Sequence, residues 1–383
     1  MNLSGGSRIA YNFGRGSNGG GTAYPPKANA QTCSYPEVFY NMFDPQDLRR
    51  DVSVNVTGSL GNGGETLYSY ALSNKVTLGI GCNKYDLNRQ DNPDARQLYS
   101  GINYLYMRQA DIILMYAEAL AVTGNEAAAK TELKKIHDRA FPAAVRDAKF
   151  NEFMAANGND VYTAIIEERK LEFIAENLRR WDLIRTGLLP KVAVEYRAKL
   201  VKDIATMKAD GFVKYDNGNE YPAYVWTKAV DGQDILGYRL TAQTPTGLDP
   251  MSDEYAITFP GWRGQHDNWL AVATEDGKAS SVSNKTPNLA ILGLTKFIKE
   301  GTPEADALVA RGYKKTPWGS LQYSKADGTP DQVTEARWGS EFMVGYTDAD
   351  YAAKKAPIYL IPMNETVCVT TGLTNGYGFR SSL

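Results

Sequence analysis

The sequence is poor in the two side chains that most often hold metals or covalent staples. Its three cysteines, Cys33, Cys82 and Cys368, are an odd set without C-x-x-C spacing, so they indicate neither a disulfide framework nor a cysteine zinc site. Two histidines, His137 and His266, leave little material for a His-rich metal centre or paired-histidine catalysis. No run is long and apolar enough to span a bilayer. The opening "MNLSGGSRIAYNFGRGSNGG" has no basic segment followed by an apolar one and does not read as a secretory signal. "TLGIGC", ending at Cys82, lacks the leucine and the preceding apolar run of a lipoprotein cleavage site and reads as a buried strand. Charge of one sign is also missing: a net charge of −2 gives no general pull toward nucleic acid or anionic lipid.

Other residues are plentiful. The 24 tyrosines and 35 glycines suit loops that recognise polar ligands by stacking and hydroxyl bonding, although lining half-buried surfaces is the plainer use of any one tyrosine. The 44 acidic residues keep two-carboxylate catalysis open. With 43% apolar and 22% charged residues, the 383-residue chain is globular and long enough for one large domain or two.

Residues 1–100 read as loops and short strands, with "GRGSNGGGTAYPP" as a turn-forming stretch and strands at Val52–Val56 and "ALSNKVTLGIG". Residues 101–190 change character. Leu105, Gln109, Ile112, Ile113, Tyr116, Ala119 and Leu120 recur at helical spacing. Gly124 stops that helix and Asn125 caps a second, with Ala129, Leu133 and Ile136 on one face. The pair makes a helical hairpin close in length to a tetratricopeptide unit. His137, on a Lys-rich face, is expected to be solvated.

"IIEERKLEFIAENLRRWDLIRTG", Ile165 to Gly187, is expected to be one long helix ended by Gly187 and Pro190. Tyr162, Ile166, Leu171, Phe173, Ile174, Leu178 and Trp181 cover its apolar arc, with Glu168, Glu172, Glu176 and Arg179 largely opposite. Glu167 and Lys170 fall inside the arc and need partners. The three glutamates need cations, for which Arg169, Arg179 and Arg180 are at hand. The cluster reads as internal bracing rather than as a catalytic or nucleic-acid site, since acidic residues interrupt every basic pair. Residues 191–355 are loop-rich, with a helix at Lys191–Lys208 and small elements between turn signals. Residues 356–383 form a closing strand and turn.

Three stretches, taken in order, resemble the SusD/RagB family. Arg108, Ala110, Asp111, Tyr116, Ala117, Glu118 and Ala119 stand on its R-x-A-D-x-L-L-x-x-A-E-A pattern. Glu168, Arg169, Glu172, Glu176, Arg180, Asp182, Leu183 and Arg185 stand on E-R-x-x-E-x-x-x-E-x-x-R-x-x-D-L-x-R. Pro362 and Glu365, then Asn375, Gly376 and Tyr377, stand on its closing motif, and "FDPQDLRRDVSV" is similar to its segment before the helices. Asn177-Leu178 replaces the usual Gly-His, and the last motif lacks its proline.

The resemblance implies a mostly α, SusD-like fold: tetratricopeptide-like hairpins with a loop-rich, partly β ligand-binding region. It implies one domain over 1–383, incomplete at its amino-terminal end, where family members carry a lipoprotein signal, a lipidated cysteine and further repeats. It also implies a lipid-anchored protein of the outer-membrane surface, joined to the membrane only through an anchor not present in this chain. Such a protein captures a glycan or peptide for a SusC-like, TonB-dependent transporter, without catalysis, nucleic acid or a cofactor.

The ligand residues do not follow from the motifs. "FPGWRGQHDNW" sets Trp262 and Trp269 around Arg263, Gln265, His266, Asp267 and Asn268, two stacking surfaces among polar groups. "AYNFGRGSNGGGTAY" sets Tyr11, Phe13 and Tyr24 around Asn12 and Arg15. Pinning of a loop to the core is the competing reading for the first and a functionless loop for the second. "YPAYVWTK" reads as core strand. "DNGNE", Asp216 to Glu220, has oxygens suited to calcium without the spacing of a known calcium loop. A carboxylate glycosidase and a scaffold that binds only protein stay open as other functions.

Overall fold

The computed structural model describes residues 17–18, 35, 37–60, 65–67, 80–82, 84–85, 102–103, 105–230, 288–318 and 346–358. It is mostly helical with small sheets. The helices are α1 (Val38–Met42), α2 (Arg49–Ser53), α3 (Gln109–Val122), α4 (Glu126–Arg139), α5 (Arg146–Ala156), α6 (Val161–Glu172), α7 (Arg179–Arg185) and α8 (Leu189–Asp210). Shorter helices follow at Pro303–Ala310 and Asp348–Ala352. No helix among the described residues is long and apolar enough to cross a membrane.

The α3–α4 hairpin forms at the Gly124-Asn125 turn. Gly124 takes φ 84°, which an L side chain resists. Its amide donates to the Ala121 carbonyl at 3.1 Å and that of Asn125 to Leu120 at 2.8 Å, so the last carbonyls of α3 are satisfied. The Asn125 side chain then accepts from the Ala128 amide at 3.4 Å and starts α4.

The buried face of α3 differs from the expected one. Ala110, Leu114 and Ala117 pack against Ala129, Leu133 and Ile136 of α4 and Val161, Ala164 and Ile165 of α6. Leu105, Ile112 and Tyr116 are exposed. Small residues let three helices approach closely, so α3 puts two alanines and one leucine at the centre of the seam, while Leu105, Ile112 and Tyr116 lie outside it.

The expected long helix is broken. Turn conformation replaces it at Phe173–Asn177, where Ala175 (φ 68°) and Asn177 (φ 60°) are left-handed. Successive residues here serve different clusters: Phe173 the hairpin core, Ile174 the core under α8, and Ala175 a group with Cys82 and Tyr85. One helical face cannot reach all three. Trp181, expected in the apolar arc, is exposed, whereas Glu168, Glu172 and Glu176, expected opposite it, are buried. Pro190 does not end this helix. It sits in the first turn of α8, where its missing N–H costs no helical bond.

The strands are β1 (Ser17–Asn18), β2 (Val54–Asn55), β3 (Thr57–Leu60), β4 (Glu65–Leu67), β5 (Gly81–Cys82), β6 (Phe212–Lys214), β7 (Glu220–Pro222), β8 (Tyr224–Val230), β9 (Asn288–Leu292) and β10 (Lys314–Pro317). β8 is the centre of an antiparallel β10–β8–β9 sheet, with Trp226 opposite both Lys315 and Leu292. The strand expected at Val52–Val56 starts only at Val54, because Arg49–Ser53 is helical. Cys82 is buried in β5, paired with Val54. Val38, Tyr40, Phe43, Ile174, Met207, Tyr221, Val225 and Trp318 join α1, α8 and the sheets in one core.

Candidate functional site

Glu168, Glu172 and Glu176 lie along α6 and the turn after it, and none is more than 6% exposed. Their cations come from other segments of the chain, not from the neighbouring arginines. Arg49 Nη1 lies 2.5 Å from Glu168 Oε1 and 3.2 Å from Glu172 Oε2. Arg108 reaches Glu172 at 2.5 Å and Glu176 at 2.8 Å, and Arg139 also pairs with Glu172. Lys84 Nζ is 2.7 Å from Glu176. Three carboxylates thus tie α2, α4, the segment before α3 and the Lys84 turn to α6 and the turn that follows it.

Arg169 faces the other way. Its Nη1 donates to Asp111 at 2.7 Å and its Nε to Asp182 at 2.8 Å. Glu167 and Lys170 pair with each other, and Arg179 Nη2 adds a contact to Glu167 at 3.0 Å. Arg185 grips Glu118 with two nitrogens, at 2.5 and 2.8 Å.

His137, expected to be solvated, is 2% exposed. Its Nδ1 lies 3.0 Å from Glu168 Oε2, and its ring stands 4.7 Å from those of both Phe141 and Phe153. A buried imidazole packed between aromatic rings and bonded to a carboxylate takes on polar work that the Lys-rich face of α4 did not suggest.

Electrostatics separates bracing from acid/base chemistry. Burial raises the Glu168 pKa, but Arg49 and His137 outweigh it and hold the carboxyl at about 2. Glu172 is lowered in the same way, with burial opposed by Arg49, Arg108 and Arg139. A general acid at neutral pH needs the opposite displacement and an open approach. These carboxylates are ionised, closed in and committed to cations.

The "DNGNE" turn joins β6 to β7 and has structural duties. Asn217 and Asn219 side-chain amides donate to the backbone carbonyls of Asn41 and Phe43 at 2.8–3.0 Å. Glu220 accepts from the Phe297 amide at 2.7 Å. Among the described residues, no three His, Cys, Asp or Glu side chains gather as a metal site. The "YPAYVWTK" run is core strand, with Tyr221 and Trp226 buried. The aromatic candidates Tyr11, Phe13, Arg15 and Tyr24, and Trp262, Arg263, His266, Asn268 and Trp269, lie outside the described residues.

The paired helices and the charge-braced turn between α6 and α7 lie within residues 9–236, which a profile of the SusD family matches. This is more than half of the chain. The chain belongs to the SusD family. SusD-like protein P38 of Formosa agariphila is 33% identical over 86 residues, 22% of this chain, and that match spans only 17% of the relative's length. No solved structure matches. The SusD family is one of nutrient-binding outer-membrane lipoproteins, and its members bind rather than transform. The match takes in the α3 and α6–α7 motifs, while the closing motif at residues 362–377 falls beyond it.

Proposed function

We propose that this chain is the ligand-binding part of a cell-surface lipoprotein that captures a glycan and passes it to a SusC-like, TonB-dependent outer-membrane transporter. SusD family membership carries the reading. The closed ion network supports it, because its buried carboxylates are paired with cations and unavailable for hydrolysis.

Recognition then falls to the aromatic loops. Indole and phenol faces stack on the C–H face of a sugar ring, and Arg263, His266, Asn268 and Arg15 bond its hydroxyls. Isothermal calorimetry against a panel of oligosaccharides, followed by product analysis after long incubation, tests the proposal. Saturable binding with intact ligand is expected. Trp262→Ala and Trp269→Ala are each expected to weaken it; unchanged affinity in both removes that loop from the site. Binding of peptides instead of sugars identifies a peptide-capturing member of the same family, and released product identifies a glycosidase.

A further inference from the structure

A cleft of about 390 Å³ opens beside α5 and α6, with Phe141, Phe153 and Leu171 among its walls. Past Met42, Ala156, Asp216 and Asn217 it continues into a second recess of about 290 Å³ against α8, lined by these same four residues. Together they have the size and apolar lining of a small-molecule site.

The polar groups of this cleft are almost all occupied. Lys149 is held between Asp44 at 3.0 Å and Glu152 at 2.9 Å. Lys170 is held by Glu167, and Lys199 by Asp203. The Asn217 amide is spent on backbone carbonyls, and its oxygen accepts from the Asn219 amide. Two groups remain. Asp216 is exposed at the join of the recesses, with no ion pair among the described residues. His137 lines the cleft, and its Nε2 is buried without a hydrogen-bond partner. When the neutral ring donates from Nδ1 to Glu168, Nε2 is an acceptor. A buried acceptor without a donor is uncommon in a folded protein.

Asp216 accepts, as does His137 Nε2 in the tautomer that gives Glu168 the Nδ1 proton; the walls are aromatic and aliphatic, and the lysines that line the cleft are neutralised. An anion would have to break an existing ion pair to bind, whereas a cation breaks none and gains the aromatic faces. We propose that this cleft binds a small organic cation, a protonated amine carried on an apolar body. The ammonium pairs with Asp216 at the join of the two recesses, and the apolar body lies on Phe153 and Met42. This inference is independent of glycan capture on the aromatic loops, so either can fail alone.

Benzylamine, benzyl alcohol and benzoate share a ring and differ in charge. Each is titrated into the full chain and followed by ligand-observed NMR. Benzylamine is expected to bind saturably, benzyl alcohol more weakly and benzoate not at all. Asp216→Asn changes an exposed residue and is expected to weaken benzylamine about threefold, the scale of one solvent-facing ion pair. Ala156→Trp, at an exposed position common to both recesses, fills the passage and is expected to abolish binding, while a thermal melt confirms that each variant is folded. No binding of benzylamine, equal affinity for all three probes, or benzylamine binding that survives Ala156→Trp overturns the site. A preference for benzyl alcohol that ignores Asp216→Asn overturns the cation.

Discussion

Arg169 and Asp182 meet across the turn that divides α6 from α7, Nε to Oδ2 at 2.8 Å, while the same guanidinium holds Asp111 of α3 at 2.7 Å. One side chain therefore fixes the angle between two helices and docks both on the hairpin. Its planar fork suits this, and it also lies 4.9 Å over the Phe173 ring. Where a left-handed turn interrupts a helix, the backbone no longer sets the relative position of the two halves, and Arg169 takes over that role.

Arg169→Leu leaves Asp111 without this partner, whereas Asp182 keeps Arg185 at 2.7 Å. Removing one member of a buried ion pair costs about 3–5 kcal/mol. Urea denaturation is expected to show a loss of that size, with Arg169→Lys recovering only part because an ammonium cannot span both carboxylates. A loss within experimental error would mean that the guanidinium fills space and does not brace.

Glu168 predicts an acid limit. Its folded pKa of about 2 lies below its ordinary value of 4.5, so the unfolded chain binds its proton first as pH falls. The stabilisation is complete above pH 4.5 and is lost as pH drops through the folded value near 2. A shift of this size corresponds to about 3 kcal/mol. Chemical denaturation from pH 5 to pH 2 is expected to show stability falling steeply, and Glu168→Gln is expected to start lower and fall less. Equal slopes for the two proteins would place the acid-labile contact elsewhere.

Much of this was legible in the sequence, though not with the right faces. The Gly124-Asn125 turn, the hairpin and the bracing role of the glutamates could be read from local chemistry. The break after Glu172 could not, because no proline or glycine marks it. Ala175 and Asn177 adopt left-handed angles where three neighbouring residues are drawn into three different clusters. The partners of the glutamates were equally hidden: Arg49 lies 119 residues from Glu168, and no period in α6 encodes it. His137 was misplaced because its lysine neighbours dominate the face pattern, whereas its burial depends on Phe141 and Phe153.

The two faces of α3 separate large side chains that matter from large side chains that do not. Leu114 is fully buried, whereas Tyr116 is 56% exposed. Leu114→Ala is expected to cost about 2–5 kcal/mol, as for other buried leucines. Tyr116→Ser is expected to change stability by less than about 0.5 kcal/mol, the usual range for surface positions. Thermal melts of the two variants check this, and a large loss at Tyr116 would show that its face of α3 is covered in solution.

Gly211 ends α8 with φ 87°, and its amide donates to the Met207 carbonyl at 2.9 Å. A Cβ there would lie 2.6 Å from Phe297 Cζ. The Phe297 ring is stacked on Phe212 at 5.3 Å and edge-on to Tyr224 at 4.9 Å, so any retreat must give up these contacts for the recess of about 470 Å³ beside it. Gly211→Ala therefore meets two penalties, about 1–2 kcal/mol for the left-handed backbone and about 1–3 kcal/mol for overpacking. A double-mutant cycle separates them. In a Phe297→Leu background the overpacking is relieved, so the same substitution is expected to cost only the backbone share. Denaturant midpoints of the four proteins give the coupling. Strict additivity would show that the ring yields freely and that Gly211 is required for its φ alone.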